Sequence, residues 1–135
     1  MIKDIQPEPV KNVAIAVVEE FNELNQPNWN VYIVNLKEIT LENVLISSKG
    51  YLKLDDGSEK KTSLLRHSLG NIAPKSFVKI EPIIEEVFGL HNEYWLSYFS
   101  NNQLLDKKYI FLAETIKKEN FTTIPLLNKK GVMIG

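Results

Sequence analysis

The feature that most constrains this sequence is its excess of side chains that favour extended backbone. Val, Ile, Thr, Phe, Tyr and Trp supply 42 of the 135 residues, whereas alanine, the strongest helix former, occurs only four times. Branched and aromatic side chains lose rotamer freedom in a helix but pack well on a pleated sheet. The composition therefore predicts a chain built mainly from strands.

Extended segments and turn residues alternate along the chain. Segments rich in Val, Ile, Leu and aromatic residues predict strands at 12–21, 29–36, 41–52, 60–69, 76–84, 93–99 and 107–113. Residues 55–58 have the composition of a hairpin turn and residues 101–103 that of a tight turn, because Asp, Asn and Gly tolerate positive φ. Short strands joined by such turns are typical of antiparallel sandwiches.

Helical patterns are scarce in this sequence. Residues 64–69 and 113–121 are the best short candidates, and the second could form one or two turns. Gly50 interrupts the third predicted strand, where we expect a bulge or bend. The predicted fold is an all-β antiparallel β-sandwich, immunoglobulin-like in general shape, with about seven or eight strands and little helix. The length fits a single domain over residues 1–135, since domains commonly contain about 100–200 residues.

Partial period-two alternation is visible in the segment 76–84. Val78 and Ile80 are predicted to point to one side of this strand, and Lys79 and Glu81 to the other. The pattern is typical of a strand that buries one of its faces.

The segment 93–99 is dense in aromatic side chains on both faces. One face carries Tyr94, Leu96 and Tyr98, and the other carries Trp95 and Phe99. Both faces cannot enter one core, so one of the two sets must be covered by something else. We therefore expect a self-association surface or a ligand groove here, and a homo-oligomer or a protein partner.

A second candidate site surrounds the one arginine of the chain. Lys61, Thr62 and Arg66 could donate hydrogen bonds to a phosphate or a carboxylate, and His67 could titrate near neutral pH. Adjacent residues of a strand face opposite sides, however, so Arg66 and His67 would diverge. The alternative is a polar strand face with one hydrogen-bonded histidine.

Signatures of catalysis and of metal binding are missing from the sequence. Without cysteine, the chain has no disulfide, no thiolate zinc site and no cysteine nucleophile. His91 and Glu93 share a strand face, but two histidines 24 positions apart make a weak zinc signature. Neither a nucleophile elbow nor a glycine-rich phosphate loop is present. We expect no catalytic residue, no metal and no cofactor.

The overall charge excludes a strongly basic nucleic-acid binder, because 16 Lys+Arg meet 17 Asp+Glu. From Leu104 to the end, however, six lysines meet three acidic residues, and aromatic residues lie between them. This segment could bind RNA or an acidic partner. Alternatively, the lysines flank apolar strands and oppose aggregation between strand edges.

No segment is typical of a targeting signal or a membrane span. Residues 1–9 carry acidic residues and two prolines without an apolar centre, unlike a signal peptide. The longest clear apolar run covers residues 13–18, and a spanning helix needs about 20 residues. We expect a cytoplasmic protein, or one whose leader peptide has been removed, that does not enter membranes.

Several segments spread over the whole chain carry a family resemblance. They are residues 28–32, 47–51, 61–63 with Arg66 and His67, 74–77 with 79–81, and Lys107 and Lys108 with Phe111. Together they resemble a small uncharacterised bacterial family, some of whose members are labelled phenylalanyl-tRNA synthetase alpha-chain-like. The resemblance implies a relation to that synthetase, whose class grips ATP with several arginines. This chain has Arg66 alone, and lysine does not replace the bidentate guanidinium, so no catalytic residue can be transferred.

Three hypotheses for function follow from the sequence. The first is a non-enzymatic interaction or assembly module that uses the surface of the segment 93–99. The second is an RNA-associated or phenylalanyl-tRNA synthetase-related protein that uses the basic final third. The third is an enzyme or a small-ligand binder with a pocket near Arg66, His67 and Lys61.

Overall fold

The computed structural model describes residues 9–135, so the signal-peptide argument, which concerns residues 1–9, falls almost wholly outside it. Ten strands are present in the described part: β1 (Val13–Phe21), β2 (Pro27–Asn35), β3 (Leu41–Lys53), β4 (Glu59–Lys61), β5 (Leu65–Ile72), β6 (Ser76–Ile83), β7 (His91–Ser100), β8 (Gln103–Phe111), β9 (Thr122–Ile124) and β10 (Lys129–Ile134). Two single 3₁₀ turns cover Glu85–Val87 and Lys118–Asn120. The all-β prediction is confirmed: eight strands have six or more residues, and β4 and β9 add three residues each.

The strands form two antiparallel sheets that pack face to face as a sandwich. The first sheet has the order β6-β2-β1-β10-β9. The second has the order β4-β3-β7-β8. Strand β5 also belongs to this sheet, because it pairs with residues 41–48 of β3, on the edge that β4 occupies at residues 51–53. The likeness to an immunoglobulin domain stays a prediction.

Strand β1 lies at the centre of the first sheet and is apolar on both faces. Val13, Ile15 and Val17 are fully buried in the core between the sheets. Its small residues on the opposite face, including Ala14 and Ala16, are also fully buried. Side chains of the same chain cover them, among them Tyr32, Leu36, Leu127 and Met133. The second apolar face of β1 is thus covered within the molecule.

The predicted turns are confirmed. Asn101 and Asn102 both have positive φ, at 52° and 61°, which suits the two central residues of a tight hairpin turn between β7 and β8. Between β3 and β4, Gly57 has φ 88°, and the amide of Leu54 donates to the carbonyl of Ser58. Asn and Gly adopt this left-handed conformation at little cost, which explains the turn positions.

Two local predictions were wrong. The irregularity in β3 lies around Asn43, whose φ is 50°, and not at Gly50, which pairs regularly with Asn92. Gly50 lies instead at a tightly packed place, because a Cβ there would lie 3.2 Å from side-chain carbons of Leu90 and Thr62. The segment 64–69 is not a helical turn but the start of β5, since it pairs with β3.

The predicted alternation of β6 fails at its second half. Val31 pairs with Glu81 but the next residue, Tyr32, pairs with Lys79, so Ile80 is an extra residue in a β-bulge. A bulge shifts the phase of a strand by one residue. Ile80 and Glu81 therefore both face the interior, and the side chain of Glu81 is only 11% exposed.

Two neighbouring tyrosines of the core differ in their hydrogen bonding. The hydroxyl of Tyr109 donates to the carbonyl of Val13 at 2.6 Å. The buried hydroxyl of Tyr98 has no partner among residues 9–135. We expect Tyr109→Phe to lower the free energy of unfolding by about 1 kcal/mol, because the carbonyl loses its donor. Tyr98→Phe should leave it unchanged or raise it. Urea unfolding of both variants tests this, and a larger loss for Tyr98→Phe would contradict it.

Candidate functional site

A largely buried carboxylate joins the two sheets where β5 and β6 approach each other. Glu81 Oε1 accepts a hydrogen bond from the hydroxyl of Ser48 at 2.8 Å and lies 2.7 Å from His67 Nε2. Its Oε2 accepts from the hydroxyl of Tyr94 at 3.1 Å. Ser48, His67 and Tyr94 belong to β3, β5 and β7 of the second sheet, whereas Glu81 belongs to the first. One carboxylate thus connects four strands across the sandwich.

The phenol of Tyr94 keeps its proton in this cluster. Burial, together with the nearby charge of Glu81, raises the pKa of Tyr94 far above its usual value of about 10. The phenol is therefore a neutral donor at all ordinary pH values. His67 can donate through Nε2 whether the imidazole is neutral or charged, so the contact does not depend on one protonation state.

The cluster contains a serine, a histidine and a glutamate, but it is not arranged as a catalytic triad. In a triad the imidazole lies between the hydroxyl and the carboxylate and removes the serine proton. Here Ser48 and His67 both contact the same oxygen of Glu81. The hydroxyl proton is directed at the carboxylate, so His67 does not activate Ser48 in this arrangement.

A cleft of about 260 Å³ opens between the sheets beside this cluster, and we call it the inter-sheet cleft. Its walls combine polar residues with apolar ones: Ser48, Lys49, Gly50, Thr62, Ser63, Leu65, Glu81, Pro82, Ile83, Ile84, Val87, Asn92 and Tyr94. Glu81 is the residue that the sequence prediction missed, because simple alternation placed it with Lys79 on the other side of β6. The β-bulge at Ile80 arises from the pairing of β6 with β2, so no pattern in the sequence of β6 reveals that Glu81 faces inward.

The outer face of the second sheet is the other candidate surface, and we call it the Trp95 face. Its strands run in the order β5, β3, β7 and β8, so side chains form rows across the sheet. One row contains Arg66, Ser47, Trp95 and Lys108. The next row contains Ser68, Leu45, Ser97 and Asp106. Phe99 and Leu104 form a cross-strand pair beyond them.

Large apolar side chains are exposed on this face. Trp95 and Phe99 are 43% and 41% exposed, and Leu45 and Leu104 are both 53% exposed. By contrast, the interface prediction was wrong for the other residues of β7. Tyr94, Leu96 and Tyr98 are at most 1% exposed and belong to the core of this chain, so they cannot form an interface.

Charged groups surround the exposed indole. The ammonium of Lys108 lies 4.9 Å from the centre of the Trp95 ring, within the range of a cation–π contact. Glu93 lies between two lysines, with its oxygens 3.8 Å from Lys49 Nζ and 3.9 Å from Lys108 Nζ. These contacts orient the charged side chains and leave Trp95 partly open.

The four residues predicted around Arg66 do not come together at one site. Arg66 and His67 both line a groove of about 350 Å³, but Arg66 shares a row with Trp95 on the outer face, whereas the imidazole of His67 contacts Glu81. Thr62 lies at the inter-sheet cleft, where its hydroxyl accepts from the amide of Gly50 at 2.8 Å. Lys61 pairs with Tyr51 at the far end of the second sheet. The predicted divergence of Arg66 and His67 is confirmed, and ligand binding by any of these residues stays a prediction.

The lysines of the final third are distributed over both sheets and a turn. Lys107 and Lys108 lie on β8, and Lys129 and Lys130 on β10. Lys107 lies 4.9 Å from the ring of Tyr109, and Lys129 bonds to Glu20. Burial alone would raise the pKa of Glu20, but hydrogen bonds from Lys129, Tyr32 and Asn30 outweigh it and lower the pKa. Several of these lysine ammonium groups therefore already contact side chains of the same chain.

The remaining histidine has a structural contact. His91 Nδ1 accepts a hydrogen bond from the amide of Ala113 at 2.9 Å, just after β8 ends.

Within residues 9–135, no three or more His, Asp or Glu side chains are grouped to hold a metal ion. In the same part of the chain, no helix has the length and apolar character needed to span a membrane.

Comparisons of the chain with protein-family models, with curated proteins and with solved structures return no match.

Proposed function

We propose that this protein is a non-enzymatic assembly module that pairs with a second copy of itself through the Trp95 face. The observation that carries the proposal is the cluster of four large apolar side chains on one sheet face, each at least 41% exposed. Burying such side chains in a partner removes them from water, and tryptophan is among the residues that contribute most to interfaces.

The dimensions of the face suit sheet-to-sheet pairing. Strand β7 has ten residues, which corresponds to about 33 Å at 3.3 Å per residue, and four strands span roughly 15–20 Å. The flat area is thus on the order of 600 Å², and side chains add to it. A standard interface buries about 800 Å² on each partner.

Charge favours a second copy over a polyanion as the occupant. The face carries Lys49, Arg66 and Lys108 together with Glu42, Glu93 and Asp106. Lys53, Lys61 and Glu59 extend the same face, so charges of both signs can pair with the same set in a copy turned by a two-fold rotation, as an isologous interface requires. A nucleic acid needs concentrated positive charge, so the RNA hypothesis has less support from this surface.

Fewer observations support the remaining hypotheses. A small-ligand site near Arg66 would use the groove beside Trp95, which a second copy would cover. A relation to phenylalanyl-tRNA synthetase and a cytoplasmic location rest on sequence reasoning alone. Pairing through the Trp95 face therefore stands as the first proposal.

Replacement of Leu45 by aspartate tests the pairing. The unmodified protein should show twice the chain mass of 15.5 kDa by light scattering, and Leu45→Asp should show 15.5 kDa. We expect the dissociation constant to rise by about 100-fold or more, because each interface would bury two unpaired charges.

The matched control is Leu24→Asp, which makes the same change at a 77% exposed leucine in the β1–β2 turn. It should leave the mass at the dimer value. A mass of 15.5 kDa for the unmodified protein at every concentration would refute the proposal, and so would equal dissociation by the two variants.

A further inference from the structure

We propose that the inter-sheet cleft binds a small amphiphile with a primary ammonium head and a short apolar body, with Glu81 as the counter-ion. This site is independent of the Trp95 face, because it lies on the inner side of the second sheet. The head would contact Glu81, and the body would occupy the apolar part of the cleft.

The first support is the unused acceptor capacity of Glu81. A carboxylate offers about four lone-pair sites. Oε1 contacts Ser48 and His67, whereas Oε2 accepts only from Tyr94 among the described residues. One acceptor site on Oε2 is therefore free for a ligand, in a side chain that lines the cleft and is 11% exposed.

The second support is Asn92, which also lines the cleft. Both hydrogens of its amide are used, since Nδ2 donates to the carbonyls of Val87 at 2.9 Å and Leu90 at 3.1 Å. These two bonds fix the orientation of the amide and leave its oxygen as an acceptor. An ammonium group has three donors and no acceptor, which matches a carboxylate and an amide oxygen.

The third support is the charge of the walls. Among the described lining residues, Glu81 is the acid and Lys49 is the base. The ammonium of Lys49 lies on the opposite face of the sheet, 3.8 Å from Glu93. No lysine of the lining therefore competes with a cationic ligand for Glu81, and His67 contacts Oε1 at 2.7 Å, which leaves Oε2 for the ligand.

The size and the apolar residues of the cleft define the body of the ligand. Leu65, Ile83 and Val87 supply apolar surface. A cavity of about 150 Å³ lined by apolar residues already holds benzene. The 260 Å³ of this cleft accommodate one ring or a short aliphatic chain together with the head group, and not a drug-sized molecule.

Benzylamine is the probe for this site, and benzyl alcohol and benzoate are its matched comparisons. Titration of the ¹⁵N-labelled protein should give saturable amide shifts for benzylamine, centred on Ser48, Asn92 and Tyr94. For so small a ligand we expect a dissociation constant on the order of 1 mM. Benzyl alcohol and benzoate should bind at least tenfold more weakly.

Two variants assign the binding to the cleft. Glu81→Gln should reduce the affinity for benzylamine at least tenfold, whereas Glu86→Gln, at an exposed acid outside the cleft lining, should not change it. Leu65→Trp should abolish the shifts by filling the cleft, and it leaves every partner of Glu81 in place, so it decides the matter if Glu81→Gln fails to fold.

The proposal is overturned if benzoate or benzyl alcohol binds as tightly as benzylamine. It is also overturned if benzylamine gives no saturable shifts, if its shifts map to the Trp95 face, or if Leu65→Trp binds it unchanged. None of these outcomes bears on pairing between copies, which the masses of the Leu45 and Leu24 variants test separately.

Discussion

Replacement of Gly131 by alanine is expected to lower the free energy of unfolding by about 3 kcal/mol, which is the upper part of the usual range for overpacking. Gly131 pairs with Val18 in the contact between β1 and β10. A Cβ at this position would overlap the carbonyl oxygen of Val17 and lie 3.0 Å from Val18 Cα. Because these are backbone atoms of the central strand, they cannot move aside without disturbing the first sheet.

Gly89→Ala is the matched control for this change. A Cβ at Gly89 would have Glu114 Oε1 as its nearest neighbour, at 3.3 Å, and the end of a flexible side chain can move away. Urea unfolding should therefore give a midpoint close to that of the unmodified protein for Gly89→Ala and a much lower one for Gly131→Ala. Equal midpoints for the two variants would show that the close approach of β1 and β10 is wrong.

Replacement of Glu81 by leucine should also cost about 3 kcal/mol of unfolding free energy. The change removes the acceptor of Ser48, His67 and Tyr94 at once and leaves buried donors without partners. The hydroxyls of Ser48 and Tyr94 belong to residues that are at most 5% exposed, and a buried donor left without a partner costs more than its hydrogen bond contributes when made. Denaturant unfolding at neutral pH measures the loss.

Glu86→Leu makes the same substitution at an exposed acid of the turn that follows β6, where the loss should be within about 0.5 kcal/mol. If Glu81→Leu were as stable as Glu86→Leu, the carboxylate would not hold the sheets together. The role assigned to the four-strand cluster would then be wrong.

The strands of this fold were predictable because their residues carry the information locally. Branched and aromatic side chains mark the extended segments, and Asn101, Asn102 and Gly57 mark turns that require positive φ. The two faces of β7 were also predictable from alternation. Which of the two faces enters the core was not predictable. Alternation divides the side chains into two sets, but the opposite sheet decides which set is buried.

The inter-sheet cleft could not be predicted, for a related reason. Its central residue, Glu81, faces inward only because Ile80 is an extra residue in β6. A β-bulge is a property of strand pairing, and the pattern of β6 alone is compatible with an unbroken alternation. Similarly, the sequence placed Arg66 and His67 on opposite faces but gave no sign that one would join Trp95 and the other Glu81.

The most direct test of the central claim, that the Trp95 face pairs with a second copy, is a paramagnetic measurement between copies. The chain has no cysteine, so Ser68→Cys at the rim of this face takes a single nitroxide label. The nitroxide-bearing chain, made without ¹⁵N, is mixed with unmodified chain that is enriched in ¹⁵N. We predict broadening of the Trp95 indole signal and of the Ser47 and Ser97 amides in the ¹⁵N-labelled copy. No broadening between copies, or broadening confined to the first sheet, would contradict the account.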